Sequence, residues 1–330
     1  MTLKRADLKQ LVFVTVVAAA GCLMTPAAAQ TFPVKGKPIR IIVPYAPGGV
    51  ADLLSRIVGQ RLGPMYGSQM LIDNRPGAGG HVGGELTAKA PPDGYTIMLG
   101  TTSHNAAFAM YSKLTYDPPK DLQPIVLLAE SQGVLVVHPS LPVKTVKEYL
   151  ALARSRPGQL NYASAGPGSA THLMAELLKM VGQINVTHIA YKGSGPAMID
   201  LVGGQVESMV ENVSTAAPHI KAGRVRALGV TSRKRDANLP DVPTIAEAGL
   251  PGYEAVPYYT MSTSAKVPQD VVRKLAADMD SIVRHPELAQ RWNDLGITPL
   301  GGTPEDAVKR NAAETVTWTK VIKAAGIRAD

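Results

Sequence analysis

The chain predicts an α/β fold, with mostly parallel sheets flanked by helices and divided between two domains. Short apolar runs alternate with helical patterns along almost the whole length. Glycine-rich segments stand where strands hand over to helices, at Tyr45 to Asp52, Arg75 to His81 and Ser164 to Thr171. The 301 residues after position 29 are more than one core usually organises.

The first 29 residues read as an export signal rather than as part of the fold. Lys4, Arg5 and Lys9 form a basic region, Leu11 to Gly21 carries no charge, and Ala27 to Ala29 offer small residues for cleavage. The alternative makes Cys22 a lipidated N-terminus, although Ala19 stands where such signals usually carry Leu. No later apolar run reaches the roughly 20 residues needed to span a bilayer. Cleavage removes the one cysteine and leaves 31 basic against 25 acidic residues, a net charge of +6. That excess fits an anionic ligand and also suits exported proteins in general. With no thiol left, disulfides and thiolate chemistry are excluded. Aromatic residues make up 5% and no basic run is interleaved with them, so nucleic-acid binding has little support.

Ile39 to Val43 reads as a buried strand, and Val50 to Leu62 as the helix after its glycine turn. Further strands are expected at 70–72, 96–99, 125–128, 134–137, 160–162, 186–189, 206–210 and 227–231, with helices between them. Thr145 and Glu148, and again Thr244 and Glu247, have the spacing of a capping box. Thr303-Pro-Glu-Asp306 combines an N-cap with proline at the first helical position. Two stretches containing Gly or Pro, 130–134 and 251–259, are candidate crossings between domains. If both cross, residues 30–131 and 257–330 form one discontinuous domain and residues 132–256 the other, with a ligand cleft between them.

The glycine loops suggest an anion site. A helix start offers unpaired N–H groups and the positive end of a dipole, and glycine lets a ligand approach the main chain. The first loop is Tyr45, Ala46, Pro47, Gly48, Gly49 and Val50; Val50 and Ala51 bring no hydroxyl to it. Asp52 is read as a buttress of this loop and not as an anion contact. The second loop is Ser164 to Thr171, where Ser164, Ser169 and Thr171 add hydroxyls to the N–H groups around Gly166, Gly168 and Ala170. Thr101, Thr102 and His104 follow a strand, where α/β sheets present ligand-facing residues, with simple helix capping as the alternative. Glu211 and Asn212 follow another strand. Glu211 in the cleft would repel an anion or pair with a donor on the ligand, and the plainer reading is a surface carboxylate. Tyr258 and Tyr259 either contact the ligand or pack a hinge, and Tyr258 is taken as the candidate site residue.

Six segments in order resemble the Bug family, the substrate-binding proteins of tripartite tricarboxylate transporters. They are Lys37 to Asp52, Asn74 to Gly80, Ala90 to Tyr95, Ala190 to Ala197, Pro218 to Gly223 and Asp241 to Thr244. The resemblance implies a two-domain periplasmic clamshell that closes on a small di- or aromatic carboxylate and delivers it to transporter membrane subunits. It implies a monomer with no cofactor and no catalytic residues. It also implies that the two glycine loops grip one carboxylate. The family's usual Trp-x-Gly after the returning crossover is replaced here by Tyr258-Tyr-Thr-Met261.

Two rival readings share some of these residues. Gly77-Ala-Gly-Gly-His-Val-Gly83 has a spacing that cradles a dinucleotide pyrophosphate in some enzymes, but Asn74 to Pro76 separate it from the strand. No G-x-S-x-G elbow or H-E-x-x-H spacing occurs. A receptor that reports ligand to a signalling partner would share the binding step.

Overall fold

A computed structural model describes residues 32–329, so the expected export signal and Cys22 lie outside the described residues. Eleven strands are formed by the described residues, in two sheets of six and five. The first sheet takes β1 (Ile39–Val43), β2 (Met70–Asn74), β3 (Thr96–Thr101), β4 (Leu122–Ser131), β10 (Tyr258–Ser264) and β11 (Ile297–Pro299), in the order β11-β4-β10-β3-β1-β2. The second takes β5 (Gly133–Val137), β6 (Asn161–Ser164), β7 (Thr187–Ala190), β8 (Ser208–Asn212) and β9 (Arg226–Val230), in the order β7-β6-β8-β5-β9. Helices flank both sheets, and residues from Lys35 onward cluster as one compact unit.

The sheets are mixed rather than mostly parallel. Parallel pairing holds at β1 with β2 and β3, and at β6 with β7 and β8. Antiparallel pairing holds wherever β4, β5 or β10 takes part. These are the strands that carry the chain between sheets, and their direction is set by the crossing rather than by a returning helix. β4 and β5 are separated only by Gln132. The return passes alongside, where the Ser131 N–H donates to the Pro257 carbonyl at 3.0 Å and the Val213 N–H to the Gln132 carbonyl at 2.8 Å.

Apolar patterning explains the helices. Helix Val50–Tyr66 buries Leu54, Ile57, Val58 and Leu62 at helical spacing, and Gly67 stops it in the left-handed conformation. Helix Val146–Ser155 begins with the expected capping box between Thr145 and Glu148. The Thr244–Glu247 box also forms, but around a single turn. The long helix Pro304–Ala324 starts at Thr303 as expected and packs on β4 and on helix Ala170–Gly182. Its Trp318 and Ile322 share one buried cluster with Leu173, Met174 and Leu178, so this last helix joins elements of both sheets.

Candidate functional site

The first glycine loop is held from behind. Asp52 accepts two hydrogen bonds from Arg56 at 3.0 Å, one from Asn74 at 3.2 Å and one from the Gly48 N–H at 3.4 Å. Asn74 also donates to the Tyr45 carbonyl at 2.9 Å. Burial pushes the Asp52 carboxyl up, but the Arg56, Asn74 and Gly48 donors outweigh it and hold the pKa below the usual carboxylate value. Asp52 is therefore the buttress its position suggests. The Tyr45 hydroxyl donates to the Gly79 carbonyl at 3.2 Å and lies 3.3 Å from the Thr101 hydroxyl, and burial pushes its pKa up to about 12.

The second loop is built from internal bonds. The Ala165 N–H donates to the Thr171 hydroxyl at 2.8 Å, the Gly166 N–H to the Ser164 hydroxyl at 3.1 Å, and the Gly168 N–H to Nδ1 of His172 at 3.0 Å. Ser169 caps the helix by accepting from the His172 N–H. The Ser164 hydroxyl lies 2.6 Å from Nε2 of His188, which stacks on His172 with ring centres 4.2 Å apart. Burial pushes the pKa of His172 down to about 3 and that of His188 to about 4, so both are neutral at pH 7. The N–H groups of Ala165, Gly166 and Gly168 thus hold the loop's shape. At the start of helix Ala170–Gly182, Ala170 and Thr171 have N–H groups with no intrahelical acceptor.

The two loops meet at a small cavity. Tyr45, Ala46, Gly49, Val50, Ala51, Thr101 and Tyr259 line it from the first sheet's side; Ala165, Ser169, Ala170, Thr171, Ser194 and Asn212 line it from the second. Among the described residues, four helices of nine or more residues begin at this cavity: Val50–Tyr66, Ala170–Gly182, Ser194–Val202 and Val213–Lys221, the last with Asn212 as its N-cap. Each places the positive end of its dipole at the cavity wall, and no charged side chain is among the lining residues. Such a cavity suits an anion held by neutral donors.

Eight of the sixteen expected site residues line this cavity: Tyr45, Gly49, Val50, Thr101, Ser169, Ala170, Thr171 and Asn212. Pro47, Gly48, Ser164 and Gly168 shape the two loops without lining it, and Gly166 lines a neighbouring crevice with Pro167 and Tyr191. Thr102 is buried behind it. His104 serves the capping role: Nδ1 accepts from the Thr101 N–H at 3.3 Å, Nε2 bonds the Gly80 carbonyl at 3.2 Å, and burial lowers its pKa to about 4.

Tyr258 points away from the cavity. Its hydroxyl accepts from Asn105 at 2.6 Å and donates to Asn311 at 2.7 Å, tying β10 to the last helix. Successive strand residues face opposite sides, so Tyr259 takes the cavity position and donates to Oδ1 of Asn212 at 3.1 Å. Ser194 is the other polar lining residue that sequence reasoning missed; its signal was the Gly193-Ser-Gly195 helix start. Glu211 is fully buried rather than at the surface, and burial raises its pKa.

The Gly77 to Gly83 turn packs against protein. A Cβ on Gly79 would overlap the Pro167 carbonyl oxygen, and the Gly79 carbonyl accepts from Tyr45 and Ser103. Its glycines allow close packing of the two loops at Gly79, while Gly77 to Gly80 also line the neighbouring crevice with Gly166 and Lys192.

A model of the tripartite tricarboxylate transporter family receptor matches residues 54–327. The chain belongs to this family. It is 39% identical over 287 residues to a UPF0065 protein in the tcbD-tcbE intergenic region of Pseudomonas sp. strain P51, covering 87% of this chain and 85% of the relative. It is 32% identical over 314 residues to BugT of Bordetella pertussis, covering 94% and 95%. Among solved structures, an R. palustris protein with adipate aligns at TM-score 0.86 and 36% identity, covering 90% of this chain and 99% of that one. MatC from Rhodopseudomonas palustris with bound malate aligns at TM-score 0.83 and 32% identity, covering 88% and 100%. The chain is thus a solute receptor with the two-domain periplasmic-binding-protein architecture, and its family members are binding proteins rather than enzymes.

Proposed function

We propose that this receptor binds a small organic carboxylate through neutral donors at converging helix starts, closes on it, and delivers it to the membrane subunits of a tripartite tricarboxylate transporter. The observation that carries the reading is the cavity itself, with four helix starts at its wall and no charged side chain lining it. A carboxylate there takes N–H bonds from Val50 and Ala51 on one side and from Ala170 and Thr171 on the other. Hydrogen bonds to a charged group contribute roughly 1.5 to 3 kcal/mol each, so three or four, less the cost of ordering, support micromolar binding. Ala46, Val50, Ala51, Ala165 and Ala170 supply an aliphatic lining for the body of the ligand. Relatives solved with adipate and with malate favour a short dicarboxylate over an aromatic one.

In this reading residues 1–29 direct export to the periplasm and the mature chain acts as a monomer. Residues 30–131 with 257–330 form one lobe and residues 132–256 the other. The paired crossings at Gln132 and Pro257 are the hinge. Binding then selects the closed state, because only there do both loops reach one carboxylate.

The test is a thermal-shift screen of the mature protein against mono-, di- and tricarboxylates, amino acids and nicotinamide dinucleotides. Ligand at a hundred times Kd stabilises by about 2.7 kcal/mol, which a melting curve resolves. A rise with carboxylates supports the proposal. A rise only with amines or nucleotides overturns it.

A further inference from the structure

Glu211 lies directly behind the cavity wall. It precedes Asn212 on β8, and its carboxyl interacts with Asn212 and Ser194, while Tyr259 lies close enough for the two to perturb each other. All three of those residues line the cavity. Oε1 of Glu211 accepts the Asn212 main-chain N–H at 2.8 Å and the Asn212 side-chain amide at 3.0 Å. Oε2 is buried with no hydrogen-bond partner among the described residues, and the side chain is fully buried.

The bonding pattern assigns roles to the two oxygens. A carboxylic acid has one carbonyl oxygen that only accepts and one hydroxyl that donates. Oε1, with two donors directed at it, can only accept, so in the neutral acid the proton sits on Oε2. The groups facing it offer no counter-charge. Tyr259 faces it from β10 with Tyr45 nearby, Ser194 from its helix start, and Val134 of β5 pairs opposite it in the sheet. Burial without a cation favours the neutral form and outweighs the Ser194 and Asn212 hydrogen bonds, which favour the ionised one, so the Glu211 pKa is raised.

We propose that Glu211 is a specificity-determining residue, a neutral acid whose Oε2–H is directed to the Ser194 hydroxyl, so that Ser194 and Asn212 present donors to the second carboxylate of a dicarboxylate. With its oxygen accepting from Glu211, Ser194 turns its own hydrogen into the cavity. Asn212 spends one amide hydrogen on Glu211 and its Oδ1 on Tyr259, leaving its second amide hydrogen for the ligand. An ionised Glu211 reverses this. Ser194 would then donate backward, and a negative charge would lie behind the place where the ligand's second charge sits. The inference rests on the carboxylate reading above and extends it by naming the class.

The experiment uses the mature protein and four probes, succinate and adipate with their chain-matched monocarboxylates butyrate and hexanoate, titrated calorimetrically from pH 7 to 9, where all four probes are fully ionised. Wild type is expected to prefer a dicarboxylate at least tenfold, and to lose that preference by up to tenfold per pH unit once Glu211 ionises, the limit for one coupled proton. Glu211→Gln keeps a donor and keeps the preference with no pH dependence; Glu211→Leu loses the preference while mono- and dicarboxylates converge. An infrared difference spectrum, wild type minus Glu211→Gln, reads the acid without any ligand and shows a protonated carboxyl band at pH 7. Absence of that band, or a Glu211→Gln profile with the wild-type pH dependence, overturns the proposal. Equal binding of mono- and dicarboxylates by wild type overturns it and leaves the carboxylate reading standing. If no carboxylate binds wild type, both fall.

Discussion

The loops around Pro47 and Gly195 touch so closely that one methyl group should separate the proposed closure from folding. A Cβ on Gly195 would overlap the Pro47 carbonyl oxygen, and beside it the Ala46 N–H donates to the Lys192 carbonyl at 2.8 Å. Gly195→Ala therefore forces the two loops apart. Inserting an extra carbon at a packed contact costs about 1 to 3 kcal/mol. If that cost falls only on the closed state, the competent fraction drops and apparent affinity weakens about five- to 150-fold. A side chain ahead of Pro196 carries its own backbone cost, but this falls on open and closed states alike and is read from ligand-free unfolding. The assay is a calorimetric titration with the best carboxylate of the screen, alongside urea unfolding of the ligand-free variant. An unchanged Kd would refute the reasoning, as would an affinity loss fully matched by lost ligand-free stability.

Three further outcomes follow from the geometry. Tyr259→Phe removes the bond to Asn212 and should weaken binding by about 0.5 to 1.5 kcal/mol, whereas Tyr258→Phe should leave affinity within about twofold and lower unfolding stability instead; titration and melting of the two variants check this. Asp52, whose pKa is depressed in the folded state, contributes stability that is present above its unfolded value near 4 and lost as pH falls through the folded value, so Asp52→Asn should flatten that part of the acid profile. Burial pushes His81 and His172 down to about 3, and His104 and His188 to about 4. A histidine buried neutral contributes stability that is full above its unfolded pKa and declines as pH falls, so unfolding free energy should drop between pH 6.5 and about 4, by up to about 1.4 kcal/mol per pH unit for each histidine; a slope carried by carboxylates alone below pH 4 would contradict this.

Much of this arrangement is legible in the sequence because it is local. Ile39 to Val43 followed by a glycine turn and an apolar helix announces itself by period and composition, and the Thr145 and Thr303 caps by residue type at fixed spacing. The glycine loops pointed to the cavity because helix starts carry their chemistry in the main chain. β10 escaped because Tyr258 to Ser264 is a strand of hydroxyl-bearing residues buried on both faces, without the apolar alternation that marks a strand. Missing that strand also hid which tyrosine faces the cavity, since the answer is only the parity of β10. Ser194 and Glu211 were harder still. Their place depends on β8 meeting the start of helix Ser194–Val202, a contact between segments that the sequence does not order in space. The direction of the crossing strands was likewise invisible to periodicity, because parallel and antiparallel neighbours bury the same side chains.

The most direct test of the account is the crystal structure of the mature protein with the carboxylate that raises its melting temperature most. One carboxylate is expected within hydrogen-bonding distance of the N–H groups of Val50 or Ala51 and of Ala170 or Thr171, with no lysine or arginine in contact. A ligand carboxylate paired with a basic side chain, or bound outside the cavity between Tyr259 and Ser169, would contradict it.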